Sequence, residues 1–195
     1  MPETESDSLL LARMSRGEDE AFERLFLRHY AQVYRVLYGL VGEREQAEDL
    51  VQDTFLELYR NPPRLKDDAT LPAWLCRVGL NRGYNALRGE RRAREKLIRL
   101  PLPQRGEDPY AEAARAEELM TIRKVLAQLP ERQVKLLLLR HAGLSYAEVA
   151  ESIGVSAASV GTLLVRAERV FLTAYRLAES TEGGELRDSP LRSNT

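Results

Sequence analysis

Cysteine and histidine are nearly absent from this chain, and their scarcity removes whole classes of chemistry. Cys76 is the only cysteine, so no internal disulfide can form, as befits a reducing compartment. Cysteine-rich zinc sites are excluded with it. His29 and His141 stand far apart, and neither lies in a metal-ligand spacing. Long apolar runs are missing too: nothing approaches the roughly 18 residues of a membrane-spanning helix, so no membrane insertion is expected. The N-terminal MPETESDSLLLARMSRG is acidic, without the basic start and apolar stretch of a signal peptide. There is no glycine-rich phosphate loop, no nucleophile beside a base and no metal set. Catalytic residues, metals and cofactors are accordingly assigned as none. With 30% charged and 44% hydrophobic residues, the composition is that of a globular cytoplasmic protein.

What is present is helical periodicity, and the alternation expected of strands is missing. A first short helix, capped by Asp7 or Ser8, ends near Gly17. A second runs from about Glu18 to Val41, with an apolar stripe of Phe22, Leu25, Phe26, Tyr30, Val33, Val36 and Leu37, and stops at Gly42. A third covers about Arg44 to Tyr59, ended by Asn61-Pro62-Pro63. PPRLKDDAT reads as a loop, and a fourth helix starts near Pro72. RLPLPQRGEDPY, with three prolines and a glycine, reads as a flexible linker that lets two domains move in the free protein. Helices resume near Ala111, break at Leu129-Pro130 and run to about Leu177, before a polar tail. The expected fold is all-α: two helical domains joined by a flexible linker.

The net charge is −1, an unpromising average for a nucleic-acid binder, but it conceals segregation. Residues 41–60 carry six acids against two arginines, a local −4. Residues 81–99 carry seven bases against two acids, a local +5. Two partners of opposite charge would suit such a pattern. Glu45, Glu48, Asp49, Gln52 and Asp53 share one face of the third helix, while Leu50, Val51 and Phe55 point inward.

The sharpest local motif is LSYAEVAESIGVSAASVGTLLVRAERVF. Ser145 and Glu148 have the spacing of a capping box. Small Ala150, turn Gly154 and aliphatic Val160 fall at relative positions zero, +4 and +10, the spacing of a DNA-binding helix-turn-helix. Ser156 caps the second helix, whose buried stripe is Val160, Leu163, Leu164, Ala167, Val170 and Phe171. The opposite face presents Ala158, Gly161, Thr162, Val165, Arg166 and Arg169, the arginines within reach of phosphates. That face is poor in bases and includes Glu168, so the domain alone should bind DNA weakly.

Taken together, three stretches resemble one family. EQAEDLVQDTFLELYR resembles the most characteristic part of sigma region 2, LPAWLCRVGLNRGYNALR the adjoining promoter-melting segment, and LPERQVKLLLLRHAGLSYAEVAESIGVSAASVGTLLVRAERVF sigma region 4. Their order and the short linker are those of the extracytoplasmic-function group of sigma-70 factors. The resemblance implies region 2 over residues 1–98, a linker at 99–113, region 4 over 114–178 and a tail at 179–195. It places core RNA polymerase binding on Glu45, Glu48, Asp49, Gln52 and Asp53. Contacts to the minus-ten element fall on Arg64, Lys66, Thr70, Arg77, Asn81, Arg82, Tyr84, Asn85, Arg88, Arg91 and Arg92. Contacts to the minus-thirty-five element fall on Ser145, Ser156, Ala157, Ala158, Ser159, Gly161, Thr162, Val165, Arg166 and Arg169. Trp74 reads as a core anchor at a helix start. Leu80 and Asn85 stand where many relatives have a basic residue and an aspartate, and Gly161, Leu163, Val165 and Glu168 depart from the usual reading helix. Implied partners are core polymerase, promoter DNA and a separate anti-sigma protein, the free chain being a monomer. The residues alone also admit a helix-turn-helix repressor or activator, or a helical adaptor without DNA contact.

Overall fold

The structure, a computed structural model, describes the backbone of residues 5–64, 70–96 and 111–185 and the side chains of 5–64, 71–89 and 118–180. Within these residues there are eight helices and no strand: α1 (Asp7–Met14), α2 (Asp19–Val41), α3 (Arg44–Arg60), α4 (Thr70–Lys96), α5 (Ala111–Gln128), α6 (Glu131–His141), α7 (Tyr146–Ile153) and α8 (Ala157–Glu185). Most of the linker segment lies outside the described residues.

The N-terminal cap is Ser6, not Asp7 or Ser8: its hydroxyl accepts from the amide of Leu9 at 3.3 Å. Asp7 is released for a different task. It is buried, and its carboxylate accepts from His29 Nε2 at 2.7 Å and from Arg28 on α2. Burial alone would raise the pKa of this carboxyl, but the hydrogen bonds and charges of His29 and Arg28 outweigh it and hold the value below normal. Glu5 pairs with Arg13 and Arg24. These charged contacts ring the apolar seam in which Leu10, Leu11 and Met14 of α1 are buried.

α2 is the spine. Leu25, Val33, Val36 and Leu37 are buried on one stripe, whereas Phe22, Phe26 and Tyr30 are half-buried in an aromatic cluster with Phe55 of α3. Tyr30, Tyr34 and Tyr38, one helical turn apart, stack along its outer edge with centroids 5.8 and 5.7 Å apart. Gly42 ends the helix at φ 78°, the left-handed cap that closes α2 through a hydrogen bond to the carbonyl of Tyr38. α3 and α4 pack against α2 to complete the first half. Leu71, Leu75 and Leu80 are buried there; Trp74 is half-buried against the core. Leu80 is therefore a packing residue.

In the second half α5, α6 and α7 pack on α8. Val160, Leu164 and Ala167 are buried as the periodicity requires, but Val170 is 40% exposed and the helix continues to Glu185 rather than ending near Leu177. Among the described residues beyond Ala167, Phe171, Ala174, Tyr175 and Ala178 are only partly buried against the core, so the apolar pattern of α8 overstates its burial. The halves are not apart in this structure. α4 lies against α7 and α2 against α6, and one apolar core runs through both.

Candidate protein-binding and nucleic-acid-binding surfaces

The acidic face of α3 follows from its cap and its core. Glu43 precedes the helix and accepts from the amides of Glu45 at 3.0 Å and Gln46 at 2.7 Å. This fixes the first turn, so that Ala47, Leu50, Val51, Thr54, Phe55 and Leu58 point inward. On the other side Glu45, Asp49, Gln52 and Asp53 are exposed, and Glu48 is half-buried in an ion pair with Arg44 at 2.8 Å. The five residues form one surface. It is not wholly unpartnered: Arg82 of α4 lies 3.8 Å from Asp53 and donates to Glu57 at 2.7 Å. Arg82 therefore ties α4 to α3, a use that its place in the basic stretch conceals.

α4 divides its polar residues between two faces. Arg77, Asn81, Asn85 and Arg88 are exposed, and their spacing sets them in a row along one face. Arg88 donates to Asn85 Oδ1 at 2.9 Å. Tyr84 turns away from this row, half-buried against α6. Its hydroxyl donates to the carbonyl of Glu131 at 3.4 Å, and the Lys135 ammonium sits 5.0 Å from its ring centroid. Burial, reinforced by the Glu131 charge, pushes the phenol pKa up. Arg64 is exposed just before the loop. Lys66, and the side chains of Thr70, Arg91 and Arg92, lie outside the described residues.

The helix-turn-helix is built as its sequence requires. The amide of Glu148 donates to Ser145 Oγ at 3.3 Å, and the amide of Ser145 donates to Glu148 Oε2 at 2.7 Å. The reciprocal pair sets the start of α7. Gly154, at φ 70° and ψ 47°, ends it in the left-handed region, and α8 departs at 86° to α7. Ala150 and Val160 are buried where the two helices meet. Ser156 stands just before α8 with its hydroxyl 2.6 Å from that of Ser159. Ala157, Ala158, Ser159, Thr162, Val165, Arg166 and Arg169 are exposed, and Gly161 is half-buried beside Tyr146. The exposed face of α8 is thus smooth at its start and basic two turns on.

Among the described residues no group of three or more His, Cys, Asp or Glu is placed to hold a metal ion. Nor is any single helix there long and apolar enough to cross a membrane.

Comparisons with known proteins agree with this geometry. Residues 25–93 match the family Sigma-70 region 2, and residues 119–169 match Sigma-70, region 4. The chain is 31% identical over 166 residues to the ECF RNA polymerase sigma factor SigM of Mycobacterium tuberculosis, covering 83% of this chain and 81% of that one. It is 27% identical over 174 residues to the RNA polymerase sigma-H factor of Pseudomonas aeruginosa, covering 84% and 90%. Among solved structures it resembles CnrH, determined in complex with the cytosolic domain of CnrY, with a TM-score of 0.65, 25% identity and coverage of 87% and 96%. The sigma factor RpoE of Bartonella quintana, solved with the anti-sigma factor NepR, shares the fold with a TM-score of 0.57, 21% identity and coverage of 80% and 96%. The chain belongs to the extracytoplasmic-function RNA polymerase sigma factors of the sigma-70 family. It is a DNA-binding protein of transcription initiation.

Proposed function

We propose that this sigma factor joins core RNA polymerase through α3, reads the minus-thirty-five element with α8 and holds the melted minus-ten strand along α4. The observation that carries the reading is the pairing, in one chain, of an exposed acidic helix face with a capped helix-turn-helix. Glu45, Glu48, Asp49, Gln52 and Asp53 offer polymerase an acidic surface, complementary to a basic one. Ala157, Ala158, Ser159, Gly161, Thr162 and Val165 enter the major groove, with Ser145, Ser156, Arg166 and Arg169 near its phosphates. The working boundaries are region 2 at 1–98, a linker at 99–113, region 4 at 114–178 and a tail at 179–195.

On α4 the row Arg77, Asn81, Asn85 and Arg88 faces the strand. Asn81 and Asn85 read or trap bases, while Arg88, Arg91 and Arg92, with Arg64 and Lys66 of the loop, hold phosphates. Tyr84, which lies against α6 here, would offer an aromatic face to an unstacked base only once α6 is moved off it, and Arg82 keeps α4 in register with α3. The bond-making chemistry belongs to polymerase, and the site of action is the cytoplasm, where polymerase and promoter are. Because the structural relatives were solved with CnrY and with the anti-sigma factor NepR, a separate anti-sigma protein is the expected regulator. Footprinting of melted thymines on a panel of minus-ten variants tests the division of labour. Asn85→Ala should change the ranking of the variants, and Arg91→Gln with Arg92→Gln should weaken all of them by a similar factor. An arginine variant equal to the parent on every promoter would remove the basic run from the DNA path.

A further inference from the structure

The first turns of α8 carry no group that can read a guanine or an adenine through paired hydrogen bonds. Those pairings need arginine or lysine on guanine and asparagine or glutamine on adenine, and none of the four stands between Ala157 and Val165. Only two hydroxyls are there. That of Ser159 lies 2.6 Å from the hydroxyl of Ser156, just outside the helix, which leaves Thr162. Val165, by contrast, is 64% exposed, an apolar side chain on the face that also holds Ala157 and Ala158. The apolar group that the major groove offers to such a face is the 5-methyl of thymine.

Gly161 lies on this face without a side chain, but the space beside it is filled from another helix. A Cβ on Gly161 would stand 3.5 Å from Cε2 of Tyr146, the one atom within 4 Å of it. The edge of the ring, rather than the hydroxyl, is therefore what approaches α8. Tyr146 opens α7 directly after the Ser145 cap, so its ring reaches across the turn. The guanidinium of Arg140 lies 5.7 Å from the ring centroid and donates to the carbonyl of Leu144 at 3.1 Å, which braces the ring from α6. The tyrosine is nonetheless 47% exposed. An aromatic ring is thus held in place on the exposed side of α8, at the point where that helix has nothing of its own.

We propose that Tyr146 is a further specificity-determining residue of the minus-thirty-five contact: its ring, standing in for the side chain that Gly161 lacks, packs on one thymine methyl, and Val165 packs on another. Gly161 and Val165 are one turn apart, about 6 Å along the helix axis, and successive base pairs are spaced by about 3.4 Å. The two thymines therefore lie one or two pairs apart, on the same strand or on opposite ones. Cytosine is rejected at both positions because it has no methyl group to fill the contact, and guanine because no donor pair faces it. The proposal rests on the reading of α8 as the major-groove helix.

Removing the methyl groups from the DNA tests it without disturbing the protein. The full chain, assembled with core polymerase, should first select duplexes from a library randomised across the minus-thirty-five and minus-ten regions. The selected upstream element is then resynthesised with deoxyuridine in place of each thymine in turn. At two positions the exchange should weaken binding by the parent holoenzyme about fourfold, the effect of withdrawing one buried methyl-sized group, and elsewhere in the element it should matter little. Tyr146→Ala should lose the penalty at one of the two positions and keep it at the other, and Val165→Ala should do the reverse. Tyr146→Phe should behave as the parent, because the ring and not the hydroxyl makes the contact. Gly161→Gln is the variant that leaves Tyr146 in place: it covers the ring edge, so the penalty at the Tyr146 position should fall and adenine should be preferred there instead. A general loss of structure would lower binding to every duplex alike and would leave the thymine-to-uracil ratio unchanged. A parent indifferent to deoxyuridine throughout would overturn the proposal, as would a Tyr146→Ala chain with both penalties intact. Tyr146→Phe behaving like Tyr146→Ala would overturn it too, placing the hydroxyl on a phosphate. A library that yields no upstream element would remove α8 from the groove and the proposal with it, whereas an element that is selected but insensitive to the methyl groups would count against the proposal alone.

Discussion

Two glycines of the helix-turn-helix should respond in opposite directions to the same substitution. At Gly154 an added Cβ meets nothing within 4 Å, so Gly154→Ala carries no steric penalty from its surroundings. The whole cost is in the backbone, which sits at φ 70° and ψ 47°. Forcing an L-residue there costs about 1–2 kcal/mol, and the reduced entropy of the unfolded alanine chain returns about 0.5 kcal/mol of it. A net loss of about 1 kcal/mol is expected, with Gly154→Asn losing about half as much because asparagine tolerates the left-handed region. Gly161 lies inside α8, and its added Cβ would stand 3.5 Å from the Tyr146 ring, an ordinary contact. Gly161→Ala should therefore stabilise by about 0.5–1 kcal/mol. Urea unfolding followed by far-ultraviolet circular dichroism resolves such differences, and each kcal/mol should move Tm by about 2–4 °C. Equal effects of one sign at both positions would refute the assignment of Gly154 to the left-handed turn and Gly161 to the interior of α8.

Asp49→Lys should abolish assembly with core polymerase and leave helicity unchanged, since the side chain is exposed and outside the Arg82 ion-pair set; undiminished co-purification would remove α3 from the interface. Asp7→Asn should destabilise the chain at pH 7 by about 2 kcal/mol, less than the 3–5 of a fully buried pair because Arg28 is partly exposed. The folded pKa of Asp7 lies below its unfolded value, so the Asp7 contribution is complete above about pH 4 and is lost as the pH falls further. Unfolding curves of parent and variant should converge in acid, and a constant gap down to pH 2 would contradict the assignment. The free chain should bind duplex promoter weakly at physiological salt, given its smooth reading face and net charge of −1; tight sequence-specific shifts without polymerase would favour a repressor.

What was legible in the sequence was local. The capping box at Ser145, the left-handed stops at Gly42 and Gly154, and the inward stripe of α3 each depend on residues within a turn or two of one another. Position-by-position periodicity carries such information directly. Asp7 was misread as a candidate cap because its partner His29 lies 22 residues away on another helix. Arg82 looked like one more base in a basic run, although the partners that claim it, Asp53 and Glu57, lie on α3. Val170 kept the helical phase of a core residue, yet it is 40% exposed, while its neighbour Phe171 is the one that packs on the core. The docking of α7 on α4 had no signal at all. It depends on two surfaces meeting across a linker, and a linker's composition describes its own stiffness rather than the affinity of what it joins.

The central claim is that this chain directs polymerase to promoters. Purified chain and core RNA polymerase should be combined on sheared DNA from the genome that encodes it, and the transcript 5′ ends mapped with and without the chain. The account predicts a limited set of start sites, each downstream of a shared pair of elements, that appear only when the chain is present and disappear with Asp49→Lys. Start sites that are identical with and without the chain would contradict it.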